Sequence, residues 1–179
     1  MILSDYDILN AVAAKRVVIR PFRKEHVREN GIDFVLDDEI AFRKPVLDPS
    51  AVFDPTDPEQ VKNEYTVETG KDRLVLRAGS QVLLSTEESL RLPNDIMAFV
   101  QLRSTWARHG LSIPPTIIDA GFSGNLTLAV TNAAQYSIMM KPGMRFVHVV
   151  FAKLMSSAAN SYKGAYLNQE GLWLPKVIK

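Results

Sequence analysis

The chain of 179 residues carries 21 basic and 20 acidic side chains, for a formal net charge of +1, with 46% hydrophobic residues and no cysteine. This is the composition of an ordinary globular protein long enough to bury a core, and it offers no global field for nucleic acid or an anionic membrane. Without cysteine there is no disulfide framework, thiol nucleophile or thiolate-held metal. The Cys-ligated zinc nucleobase deaminases are therefore excluded, and His26, His109 and His148 lack the spacing of a His-x-x-x-His zinc site.

In chain order, Ser4 followed by Asp7 reads as a capping box opening a short helix through about Lys15. Strand signals then dominate. Val17–Arg20, Ile32–Leu36, Glu39–Phe42, Arg73–Arg77 and Gln81–Ser85 are short and rich in β-branched residues. Ile96–Leu102, Leu111–Ile113, Asn125–Thr131, Ser137–Met140 and Arg145–Ala152 continue the pattern, with Pro and Gly between them. Many short strands at this spacing predict a sandwich or barrel within one domain spanning residues 1–179. Asp48–Gly70, with Asp-Pro pairs at 48–49, 54–55 and 57–58, reads as a long surface loop with a helical turn around Pro58–Asn63. The alternative is an arm reaching a neighbouring subunit. The N-terminus lacks the profile of a signal peptide and no apolar run approaches membrane-spanning length, so a cytoplasmic location with no membrane partner is expected.

The chemistry concentrates in Arg103–Gly124. Arg103 and Arg108 bring positive charge, Ser104 a hydroxyl, and Gly121 and Gly124 permit close backbone approach. Asp119 is an acid at the end of a strand pattern. Cations and one carboxylate beside glycines suit a phosphorylated ligand hydrolysed by a positioned water; an Arg–Asp ion pair closing a turn is the plainer alternative.

Five segments in order resemble the motifs of the dCTP deaminase/dUTPase superfamily. They are Arg28–Phe34, Arg103-Ser104-Thr105, Ile118–Gly124, Pro142–Phe146 with His148, and Tyr162 with Asn168–Gly171. The resemblance implies a distorted jelly-roll, or β-clip, with a short N-terminal helix. It also implies a homotrimer whose sites form between subunits, a deoxynucleoside triphosphate substrate and Mg2+. By the same resemblance Asp119 orients and deprotonates the attacking water, Ser104 bonds a phosphate oxygen, and Arg103 and Arg108 grip phosphates. Gly121 and Phe122 lie on the hairpin that reads the base and deoxyribose, although Phe122 also suits the core. Asp33 becomes an indirect, water-mediated magnesium contact, or simply caps a turn. His148 falls where dUTPases often carry Gln and is otherwise a satisfied buried histidine. Tyr162 and Gln169 belong to a C-terminal lid over about 160–179, or to a tail packed on the barrel.

Two departures bear on the reaction. The deaminases carry a Glu five residues after the last Gly of the third motif, where this chain has Ala129; they also tend to carry a Lys three residues after the closing Tyr, where it has Ala165. Deamination needs a group to pass a proton from water to the departing amine, which a methyl cannot do. The expectation is a dUTP diphosphatase. The alternatives are a dCTP deaminase (bifunctional, or disabled at position 129), which Ile113-Pro114-Pro115-Thr116 favours by resembling archaeal-type deaminases, and a non-catalytic nucleotide-binding relative.

Overall fold

The computed structural model describes residues 1–46, 48 and 50–178. Pro49 of the first Asp-Pro pair and Lys179 at the end of the C-terminal stretch lie outside the described residues. The N-terminal helix α1 (Asp5–Ala13) starts where the sequence places it. The Asp7 amide donates to Ser4 Oγ and the Ser4 amide to Asp7 Oδ2, and the helix buries Ile8 and Ala11.

Twelve strands follow among the described residues. They are β1 (Val18–Arg20), β2 (Val27–Arg28), β3 (Gly31–Arg43), β4 (Tyr65–Glu68), β5 (Leu74–Leu76), β6 (Gln81–Arg91), β7 (Ile96–Leu102), β8 (Leu111–Ser112), β9 (Thr116–Ile118), β10 (Ser123–Asn132), β11 (Ile138–Met140) and β12 (Arg145–Lys153). Two further short helices are α2 (Pro58–Asn63) and α3 (Ser104–Arg108). The fold is mainly β, a curled antiparallel sheet of the jelly-roll kind. Its main path runs β8-β10-β6-β3-β12-β7-β9, with β1 on β6, β2 and β4 on β3, and β5 with β11 as a separate ribbon.

The pivot is β3. Its first half pairs with β12 (Ile32 opposite Val149, Asp33 opposite His148), and its second half pairs with β6 (Ile40 opposite Leu84, Phe42 opposite Val82). The sequence suggests two strands because Asp37-Asp38-Glu39 interrupts the apolar run. The chain instead passes through these acids as a register irregularity between Leu36 and Ile40. Residues Gly31–Leu36 are buried in succession, as expected of a strand covered on both faces. Phe34, Phe146, Phe151, Leu84 and Leu90 are almost fully buried and form much of the core.

Asp48–Gly70 departs from the expected surface loop. Asp57 caps α2 and Pro58 opens it, as the predicted helical turn requires. Tyr65–Glu68, however, is a sheet strand paired with β3, and Val61 and Tyr65 are buried. The Tyr-Thr-Val run has strong strand preference, which the Asp-Pro rhythm masks in the sequence. β2 and α3 carry no such signal in the sequence, and β9 shows only as the strand pattern that ends at Asp119. All three are too short for periodicity to register.

Candidate active site

β10 alternates cleanly. Leu126, Leu128 and Val130 enter the core, while Asn125, Thr127 and Ala129 face the C-terminal segment. That segment lies along the strand. The Asn168 amide donates to the Ser123 carbonyl (2.7 Å), the Asn125 amide to the Gln169 carbonyl (2.8 Å) and the Trp173 amide to Thr127 Oγ1 (3.1 Å). Gln169 Nε2 also donates to Thr127 Oγ1, and the Gln169 residue is 4% exposed, so its amide is committed to holding this arrangement. The Tyr162 amide donates to the Ala120 carbonyl, and the Phe122 and Tyr162 rings meet at 5.7 Å between centroids, tilted by 57°.

Between β10, β9 and this segment lies a cavity of about 350 Å³. This is near the small end of small-molecule sites, roughly 300–1,000 Å³. Phe122, Tyr162, Tyr166 and Trp173 supply aromatic surface; Thr116, Asn125, Thr127 and Gln169 supply polar groups; Asp119 is the one carboxylate on the wall, and Ala129 faces in with a methyl. Asp119 sits in the turn after β9, exposed and without an ion-pair partner among the described residues. Gly121 (φ +86°) shapes this turn, and a β-carbon there would stand 2.0 Å from Ser161 Oγ. Four of the sequence-predicted residues, Asp119, Phe122, Tyr162 and Gln169, thus share one cavity, and Gly121 positions the turn. Phe122 is both things the sequence allowed, a core residue 7% exposed and a cavity wall.

The predicted cations lie elsewhere in the chain. Arg103 pairs with Asp33, its Nε 3.2 Å from Oδ2, rather than with Asp119. Arg28 Nε and Arg145 Nη1 donate to the same Oδ2 at 3.3 Å each, and His148 Nδ1 lies 2.9 Å from Oδ1. An ionised carboxylate only accepts, so that His148 nitrogen carries the hydrogen. Asp33 is 3% exposed. Burial alone would raise its pKa, but the hydrogen bond with His148, the charge of Arg103 and the hydrogen bond from Arg28 outweigh it and hold the carboxyl below its ordinary value. Ser104 and Arg108 are exposed on α3. The Trp106 indole donates to the Arg145 carbonyl (2.9 Å) and the Arg103 amide to the Phe146 carbonyl (3.1 Å), which hold that helix beside the cluster. None of Arg103, Ser104 and Arg108 lines the cavity, so the two halves of the predicted site do not meet within one chain.

The expected magnesium contact does not fit Asp33. Four nitrogen groups already converge on its two oxygens, and the surrounding charge is positive. Among the described residues no group of three or more His, Asp or Glu side chains could hold a metal ion. In the sequence Arg28 and Arg145 fall in separate motifs with nothing to tie them to a common partner, and Trp173 belongs to none of the five motifs. A lysine does stand beside Ala165. Lys176 Nζ donates to the Ala165 carbonyl and lies 4.5 Å from the Trp173 ring centroid. Among the described residues no helix is long and apolar enough to cross a membrane.

A family profile described as dCTP deaminase-like matches residues 2–154. A dCTP deaminase of Acidianus ambivalens is 42% identical over 177 residues, covering 98% of each chain. One from Saccharolobus solfataricus is 41% identical, covering 98% of this chain and 92% of its own. A probable deoxyuridine 5'-triphosphate nucleotidohydrolase of Sulfolobus islandicus rod-shaped virus 1 is 38% identical, covering 98% and 99%. Among solved structures, the 2'-deoxycytidine 5'-triphosphate deaminase from Agrobacterium tumefaciens superposes with a TM-score of 0.64 at 21% identity. That match covers 84% of this chain and 46% of the other, and is a likeness of fold.

Proposed function

Because the chain belongs to the dCTP deaminase-like family of the dCTP deaminase/dUTPase superfamily, we propose that it hydrolyses dUTP to dUMP and pyrophosphate. The observation that carries this reading is the inventory of the cavity wall. It holds one carboxylate, Asp119, at an exposed turn, and the strand position where the superfamily's deaminases place their proton-shuttling acid presents only the Ala129 methyl. The aromatic pair Phe122–Tyr162 and the polar groups of β10 receive the deoxynucleoside. Asp119 orients a water against the α-phosphorus and takes its proton. Ser104, Arg103 and Arg108 hold the phosphate chain; since they lie outside the cavity of their own chain, they serve a neighbouring subunit's cavity in a homotrimer. Arginine suits this task because its planar fork matches phosphate oxygens. The C-terminal segment, through Tyr162 and Gln169, excludes water from the bound nucleotide.

A second reading, deamination of dCTP, is favoured by the relatives, because the names carried by the 41–42% identical proteins fit it better than the first. Following pyrophosphate and ammonia separately, on dUTP and on dCTP, decides between them. Pyrophosphate from dUTP without ammonia from dCTP supports the first, ammonia from dCTP supports the second, and neither product with tight nucleotide binding leaves the non-catalytic relative.

A further inference from the structure

Three arginines share one carboxylate. Arg28, Arg103 and Arg145 all reach Asp33 Oδ2 within 3.3 Å, so three guanidinium charges face one carboxylate, an excess of two. Among the described residues none of the three has another carboxylate within ion-pair distance. By contrast Arg23, in the same protein, is matched by two carboxylates, Glu87 and Glu88. Like charges this close repel unless something opposite joins them. Each guanidinium has five N–H donors and spends few of them on Asp33, while the side chains remain 36%, 29% and 37% exposed.

We propose that Arg28 and Arg145 join Arg103 in an oxyanion site for a polyphosphate chain, with Asp33 as the buried counter-ion that fixes the three forks rather than as a contact to a metal. Asp33 is itself fixed from behind. His148 binds its other oxygen, and it has room only because position 31 is glycine; a β-carbon there would stand 2.5 Å from His148 Nε2 and 2.6 Å from the Val149 carbonyl. α3, which carries Ser104 and Arg108, is tied to Arg145 through Trp106. The inference rests on the reading that the ligand is a nucleoside triphosphate, and it assigns the tail of that ligand to two residues outside the cavity.

Inorganic tripolyphosphate tests it without a base or a scissile nucleotide. Calorimetric titration of the protein in magnesium-free buffer should show binding, weakened roughly tenfold or more by Arg28→Ala and by Arg145→Ala, the scale for losing a charged hydrogen bond. Arg28→Lys and Arg145→Lys, which keep charge but lose the fork, should bind with intermediate affinity, and they carry the test if the alanine variants do not fold. No binding by the unaltered protein, or affinity unchanged in the variants, overturns the proposal. So does a loss of oligomer mass in the variants with tripolyphosphate affinity intact, since the arginines would then meet a second chain's carboxylates. Tripolyphosphate binding that needs these arginines, in a protein that turns over neither dUTP nor dCTP, would instead overturn the functional reading alone.

Discussion

Gln169 crosses Gly124 in a parallel bridge, and its backbone nitrogen and oxygen lie 2.6 and 2.7 Å from where a β-carbon on Gly124 would stand. Gly124 also has φ +140°, a conformation that side-chain-bearing residues rarely adopt. The start of β10 and the C-terminal segment are thus fitted to each other through a missing side chain.

Gly124→Ala should therefore release the closing segment before it unfolds the sheet. The strained backbone costs about 1–3 kcal/mol, seen as a modest fall in melting temperature. The larger change should be proteolytic cleavage between Tyr162 and Lys176 and weaker binding of a non-hydrolysable dUTP analogue. A variant as protease-resistant as the parent would show that the bridge does not hold the segment.

Asp33 gives a pH dependence with a definite sign. Its folded pKa lies below the unfolded value, so the native state favours the ionised form. The resulting stability is fully present above an unfolded aspartate pKa of about 3.9, and is lost as pH falls through the lower folded value. Asp33→Asn should be less stable at neutral pH, toward the lower part of the about 3–5 kcal/mol expected for breaking a buried pair, because the arginines are partly solvated. Its acid limb should also be flatter than the parent's. Parallel melting-temperature curves for the two proteins through the acid range would remove Asp33 from this role.

Why the sequence revealed some of this and hid the rest follows from what each signal measures. The capping box at Ser4, the β7 span and the alternation of β10 are local patterns, so they could be read directly. Asp119, Gly121, Phe122, Tyr162 and Gln169 were legible because a family resemblance ties them together over some 50 residues, which no local pattern does. The grouping of Arg28 on β2, Arg145 on β12 and Arg103 just after β7 depends on β2 and β12 both pairing with β3 and on β7 lying beside β12, and no spacing in the chain encodes a common partner for residues so far apart. Tyr65–Glu68 was hidden for the opposite reason, a clear strand run beside louder turn residues.

Assembly is the third test. The cavity with Asp119 and the cations with Ser104 and Arg108 lie apart in one chain, so the proposed reaction calls for a partner that brings the second half. Light scattering at micromolar concentration should give three times the 20.0 kDa chain mass. Mixing inactive Asp119→Asn protein with inactive Arg108→Ala protein and allowing subunits to exchange should restore part of the pyrophosphate release, because some interfaces then pair an intact cavity with an intact grip. An active monomer would end this account.

The final test sets Asp119 against Ala129. Asp119→Asn preserves shape and removes the base, so pyrophosphate release from dUTP should fall by at least about 10²-fold, the usual scale for losing general-base help. Binding of a dUTP analogue should survive, because the exposed carboxylate acts on the water more than on the phosphates. Ala129 packs against the small cluster of Ala41, Tyr65 and Leu83, with Leu172 and Leu174 beside it. A carboxylate introduced by Ala129→Glu would enter that apolar surface without the hydrogen bonds an ionised acid needs, so the variant should lose stability and release no ammonia from dCTP. The two substitutions have opposite meanings for the two reactions. If the unaltered protein releases ammonia from dCTP efficiently and Asp119→Asn abolishes it, the single wall carboxylate serves deamination, and the hydrolase reading fails.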